Sequence, residues 1–81
     1  MLTVADMGAG DTATVVEVLG DDPLAMRIME MGVMDGEIVK VVGLAPMGDP
    51  MELEVRGYRL SLRKAEARRV TINLLFPSGL S

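Results

Sequence analysis

Met26, Met29, Met31 and Met34 are spaced M-x-x-M-x-M-x-x-M, and thioethers are ligands for soft Cu(I). That makes this string the first place to look for chemistry. The spacing argues against copper. At about 100° per helical residue Met31 points away from Met26 and Met29, and Met34 lies past a helix-ending glycine. Two other readings of the string stay open: core filling, and a partner surface that uses the adaptability of methionine. The rest of the chain excludes more than it offers. It has no Cys and no His, which removes disulfides, zinc sites and imidazole catalysis together. An enzyme would have to draw its acids and bases from carboxylates, Lys and Tyr, and the adjacent Asp21 and Asp22 read better as a turn and a helix cap. No catalytic residue, cofactor or metal site is expected.

The residues that remain need a scaffold. At 81 residues the chain makes one domain, near the lower end of what folds without staples. Its longest apolar candidate for a membrane span, residues 38–47, is interrupted by Lys40 and too short. The first six residues lack the basic start and apolar stretch of a signal peptide. A cytoplasmic protein without membrane insertion is expected. The net charge is −4, but residues 1–54 hold 11 carboxylates against Arg27 and Lys40, while residues 55–81 hold Glu66 against six cations. Such asymmetry can mark a nucleic-acid face. Mutual neutralisation across strands accounts for it better, and an acidic chain opposes long-range attraction to phosphates, so no nucleic acid is expected.

Three turn phrases set the bends: Met31-Gly32-Val33-Met34-Asp35-Gly36, Ala45-Pro46-Met47-Gly48-Asp49-Pro50, and the run from Leu60 to Ala67. Thr3 caps a single turn through Met7. Residues 13–19 are β-branched and apolar on both faces, as a strand covered on both sides would be. Asp22 followed by Pro23 starts a helix, one supplying a carboxylate for free amides and the other a preset φ. The helix runs from Pro23 to Met31 and stops at Gly32. Leu24, Ile28 and Met31 form its inward stripe. Met26 and Met29 then fall on the opposite side, flanking Glu30.

The segment from Glu37 to Leu44 places Val39 and Val41 inward. A hairpin follows, with Arg56-Gly57 as a two-residue turn. Val55 then sits opposite Tyr58, Glu54 opposite Arg59 in an exposed ion pair, and Leu53 opposite Leu60. A helical turn over residues 62–67 leads into a last strand, Arg69 to Leu74. Residues 1–74 are expected to form the domain and 75–81 an apolar tail. Its Leu75, Phe76 and Leu80, with Leu74, should pack on the domain or on a second copy, which makes a homo-oligomer through the tail an expectation. The fold class is mainly β, a small barrel of about five strands with a helical insert after the first.

The order of these signals resembles the ferrous iron transport protein A (FeoA) family over about residues 2–73. The resemblance rests on the helix ending at Met31-Gly32-Val33, on Asp35-Gly36, on Ala45-Pro46 with Gly48-Asp49-Pro50, on Tyr58 to Leu62, and on Arg63-Lys64-Ala65-Glu66-Ala67. It implies an SH3-like barrel and a cytoplasmic partner of the ferrous iron transporter FeoB, a membrane protein with a cytosolic GTP-binding domain. A related barrel ends the metal-dependent repressors of the diphtheria-toxin-repressor type, but no winged helix is present here. An SH3-like adaptor for another cytosolic protein, repressor-type partners included, is the alternative; with only Tyr58 and Phe76 the chain lacks an aromatic groove for proline-rich peptides. Tight Fe(II) binding is not expected, since such sites use imidazole or thiolate beside carboxylates, and Asp21, Asp22 and Asp49 could hold metal only weakly. The partner contact is expected on the helix at Met26 and Met29, with Arg27, Glu30 and Met34 at its edges, reaching Met47 and Asp49 on the proline loop.

Overall fold

Each turn phrase marks a bend in the structure, a computed structural model in which residues 1–76 are described, the last by its backbone. Thr3 precedes a 3-10 turn, Val4–Asp6, and its N–H donates to Asp6 Oδ2 at 2.8 Å. Then follow β1 (Thr12–Val18), α1 (Pro23–Glu30), β2 (Ile38–Leu44), β3 (Met51–Val55), β4 (Tyr58–Leu62), α2 (Lys64–Ala67) and β5 (Val70–Phe76). The strands form one antiparallel sheet in the order β4-β3-β2-β1-β5. The fold is mainly β with a helix after the first strand, as expected. The sheet is open rather than closed into a barrel: β4 and β5 are its two edges.

The hairpin follows the sequence pattern. Arg56 and Gly57 take φ of 53° and 84°, the left-handed pair that a type I′ turn needs and that matches strand twist. The register pairs Val55 with Tyr58, Glu54 with Arg59 and Leu53 with Leu60. Met51, Leu53, Val55 and Leu62 are fully buried. The ion pair differs from expectation. Arg59 reaches diagonally to Glu52, with Nη1 3.7 Å from Oε1, instead of pairing with Glu54 directly across. Register sets the Cα partners, whereas a long exposed side chain can reach along the neighbouring strand.

Val39 and Val41 are buried in β2 and continue the same face through Val55 and Leu53. Together with Ala13, Val15 and Ile72 from β1 and β5 they line the core, which Val4, Met7, Ala25, Ile28 and Ala67 cover from the helical side. β1 is not covered on both faces. Its register with β5 shifts between Val15 and Glu17, so Val16 is the extra residue of a bulge and is exposed. A bulge leaves one residue unpaired and turns it away from the ladder.

β5 begins one residue later than expected and runs two residues further, to Phe76, with Thr12 opposite Phe76 and Ala13 opposite Leu74. Leu74 and Leu75 are partly exposed strand residues, so β5 does not end at Leu74. Residues 77–81, including Leu80 of the expected tail, lie outside the described residues.

Candidate functional site

The placement of α1 is decided at its two ends. Asp22 adopts extended backbone before the helix, and its Oδ1 accepts the Ala25 N–H at 3.3 Å. The same carboxylate takes a bidentate pair from Arg69, with Nη1 to Oδ1 at 2.7 Å and Nη2 to Oδ2 at 2.8 Å. Arg69 Nη1 also donates to Leu19 O at 3.3 Å. The Arg69 guanidinium holds the Asp22 carboxyl well below the usual carboxylate range, aided by the Ala25 amide and opposed by partial desolvation. Fork-on-fork geometry of this kind fixes orientation as well as energy.

At the far end Gly32 takes φ of 98°, the left-handed stop read from the sequence. The Tyr58 hydroxyl donates to Met31 O, and a β-carbon on Gly32 would collide with that hydroxyl. Arg56 pairs with Glu37 on the same stretch. The hairpin tip therefore grips the α1–β2 connection at two points.

Between these ends the helix buries only Ala25 and Ile28 completely, while Leu24, Met29 and Met31 pack partly against the core. Met29 thus departs from expectation. The inward stripe is centred between Ala25 and Ile28, which puts Leu24 and Met29 on its two flanks, each about 70° away at 100° per residue. Ala25 moves the centre because a small side chain lets the helix lie close to the sheet. Met26 stays outside as expected, 56% exposed. Arg27 and Glu30 are exposed beside it, and Met34 is exposed just past the helix stop.

The proline loop joins this surface through α2. Asp49 Oδ1 accepts the Lys64 N–H at 3.2 Å, Lys64 Nζ donates to Ala5 O at 3.2 Å, and Arg27 Nη1 lies 4.0 Å from Glu66 Oε2. Met47, 90% exposed, stands at the tip of that loop. The structure thus brings Met26, Arg27 and Glu30 onto one helix face, ties Asp49 to its neighbour α2, leaves Met34 exposed on the α1–β2 connection, and sends Met29 toward the core. Tyr58, Arg69 and Glu66 hold this surface in place without having been singled out. Their partners are 27 to 47 residues away in sequence, beyond any local pattern.

The charge asymmetry is neutralised in part, through Arg56, Arg59 and Arg69, while Arg27–Glu66 pairs in the opposite sense. Arg56–Glu37, Arg59–Glu52, Arg69–Asp22 and Arg27–Glu66 each join the acidic part of the chain, residues 1–54, to the basic part, residues 55–81. An open hollow of about 410 Å³ lies over Leu19, Gly20, Asp21, Asp22 and Arg69, and its main charges are already spent on each other. Among the described residues no group of three or more carboxylates gathers as a metal site. No described helix is long and apolar enough to cross a membrane.

Residues 2–74 match the model of the family described as the FeoA domain. The Fe(2+) transport protein A/Fe(2+) transporter FeoB fusion protein of Porphyromonas gingivalis is 31% identical over 80 residues, which cover 99% of this chain and 10% of that one. This chain therefore spans a tenth of that relative's length. Among solved structures, the FeoA-like protein of Clostridium acetobutylicum superposes with a TM-score of 0.89 at 31% identity, covering 99% of this chain and 93% of the other. The FeoA of Stenotrophomonas maltophilia, described as an SH3 domain protein and complexed with zinc, gives 0.79 at 31% identity over 90% and 91%. A manganese-dependent transcriptional repressor shares the fold alone, at 17% identity and a TM-score of 0.82 over 91% of this chain and 36% of its own.

Proposed function

The chain belongs to the FeoA domain family, and from that premise we propose that it is a small cytoplasmic accessory protein of ferrous iron uptake. In this reading it binds the cytosolic GTP-binding domain of a FeoB-type transporter and modulates its assembly or activity. The observation that carries the proposal is the Porphyromonas gingivalis relative, in which a FeoA part and a FeoB part are one polypeptide. Covalent linkage raises effective concentration, which is useful when the two parts act on each other. The exposed face of α1, with Met26 among Arg27 and Glu30, is the surface this chain offers. Apolar side chains set among charges are common at interaction sites.

The protein acts without catalysis of its own. With neither His nor Cys in the sequence, two of the groups left for acid–base work are used in structure: Asp22 caps a helix and Tyr58 holds a carbonyl. No observation favours the adaptor reading. Tyr58 is committed to Met31 and is the only tyrosine in the chain.

The test is capture of the transporter's cytosolic domain by the full chain, with that domain loaded with GDP or with a non-hydrolysable GTP analogue. Binding in at least one nucleotide state is expected. Failure to bind in both, with both proteins folded, would overturn the proposal. Self-association through Leu74, Leu75 and the residues that follow is a separate matter, read from the solution mass with and without residues 75–81.

A further inference from the structure

The chain has eight Lys and Arg residues, and most of them are already engaged. Arg56, Arg59 and Arg69 pair with Glu37, Glu52 and Asp22, and Lys64 Nζ donates to Ala5 O. Lys40 has no ion pair among the described residues and stands apart on β2, in register with Glu54. Arg27, whose ion pair is the long contact to Glu66, and Arg63 and Arg68 all adjoin α2. Arg63 and Arg68 are the residues that flank α2 at its two ends, and α2, four residues long, spans only about 6 Å. Arg27 reaches over it from α1, with its guanidinium at 4.0 Å from Glu66 and its side chain 70% exposed.

The carboxylates nearby offer this cluster little. Glu66 is nearly buried, and its Oε1 accepts the Arg63 backbone N–H at 2.8 Å. Asp49 is turned to the Lys64 amide. Among the described residues neither the Arg63 nor the Arg68 side chain has a carboxylate partner. A chain of net charge −4 therefore gathers Arg63 and Arg68, both without a carboxylate partner, and the loosely paired Arg27 around α2, beside the α1 face that carries Met26 and Glu30.

We propose that Arg27, Arg63 and Arg68, together with Met26, form a docking site for an acidic segment of a partner protein that carries an apolar anchor. The segment's carboxylates would meet the three guanidinium groups, and its apolar side chain would seat on Met26. The proposal rests on the functional reading above only for which protein supplies the segment. A nucleic acid fits less well. The acidic net charge repels a polyanion at long range, the sole tyrosine is tied to Met31 and gives no stacking platform, and a phosphate backbone has no use for Met26. Charges at the rim of an interface act mainly on encounter rate and specificity, and their effect is screened by salt.

The test uses the full chain and its Arg63→Glu/Arg68→Glu variant. Both side chains are exposed, and an unchanged melting temperature confirms that the variant folds. Four probes are titrated from low to high salt: the transporter's cytosolic domain, a synthetic amphipathic peptide with leucines flanked by glutamates, single-stranded DNA, and phosphatidylglycerol vesicles. The expected result is salt-sensitive binding of the cytosolic domain and of the peptide. Both should weaken at least tenfold in the variant, and the variant's residual binding should lose most of its salt dependence. If the peptide behaves so and the cytosolic domain does not bind even the unaltered chain, the function proposed above falls and the docking site stands. If the cytosolic domain binds equally to both chains and indifferently to salt, the docking site falls and the function stands. DNA or vesicles bound as tightly as the peptide would replace the proposal with general polyanion binding. No binding by any probe would overturn it.

Discussion

The β3–β4 hairpin and α1 are of similar size and both begin and end on turn residues, yet they are held by different means. The hairpin is secured from within. Its register follows from a two-residue turn, and four of its side chains, Met51, Leu53, Val55 and Leu62, are fully buried. The helix buries only two of eight residues completely. Its position depends on side chains sent from elsewhere: Arg69 at its start, Glu66 at its flank, Tyr58 past its end. An eight-residue helix has little stability alone, so these tethers and a narrow buried stripe define where it sits. The contrast separates two tasks. The hairpin contributes to the core, whereas the insert is pinned to it and keeps one face free.

The sharpest test of that contrast lies in the hairpin. Leu53→Ala removes a fully buried side chain and should cost about 2–5 kcal/mol, as cavity-forming truncations do, read as a fall in the urea midpoint. A loss below about 1 kcal/mol would mean that the hairpin is not the anchor described.

The helix stop gives the next effect. Gly32→Ala places a β-carbon at φ of 98° and against the Tyr58 hydroxyl, and should cost at least about 1 kcal/mol. Tyr58→Phe should cost about 0.5–1.5 kcal/mol by removing the bond to Met31 O. Because the new β-carbon meets the very atom that Tyr58→Phe deletes, the double variant should lose less than the two single losses added together. Simple additivity in a thermodynamic cycle would separate the latch from the stop.

These two elements also differ in how far the sequence exposes them. Asp22-Pro23, Gly32 and Arg56-Gly57 were legible because caps and tight turns are local: the residue type answers a backbone demand at its own position. The strand alternation was legible for the same reason. Met29 was not, because the centre of the helix's buried stripe depends on how closely Ala25 lets it approach the sheet. Nor was the bulge at Val16, since its β-branched neighbours read alike whether paired or extruded. Of the expected site, Met26, Arg27, Glu30 and Met34 are on the surface, whereas the tethers behind them are long-range contacts with no local signature.

A smaller effect reports the tether at Asp22. Its carboxyl is lowered below its ordinary value of 3.8, first by the Arg69 hydrogen bond, so the native state favours the ionised form. The associated stability is fully present above the unfolded-state value, near pH 4, and is lost as pH falls toward the native one. Asp22→Asn keeps a competent helix cap while removing the charge. The stability gap between the native chain and this variant should be open at pH 7 and narrower at pH 2.5, as measured by denaturant unfolding. A gap that stays constant over that range would mean that Arg69 does not hold the helix electrostatically.

Smallest of all should be the exposed diagonal pair on the hairpin. Arg59→Ala, which breaks the contact with Glu52, should change stability by less than about 1 kcal/mol. A larger loss would show that the hairpin, too, depends on its side-chain tethers.

The most direct test of the free helical face uses the methionines as reporters. The chain has eight, distributed from the fully buried Met51 to the 90% exposed Met47. With methyl-labelled methionine, NMR spectra recorded while the transporter's cytosolic domain is added should show Met26 shifting or broadening first, with Met34 following. Met7 and Met51, both in the core, should stay in place. Perturbation confined to Met47 or Met1, with Met26 unmoved at saturation, would contradict the assignment of α1 as the docking face.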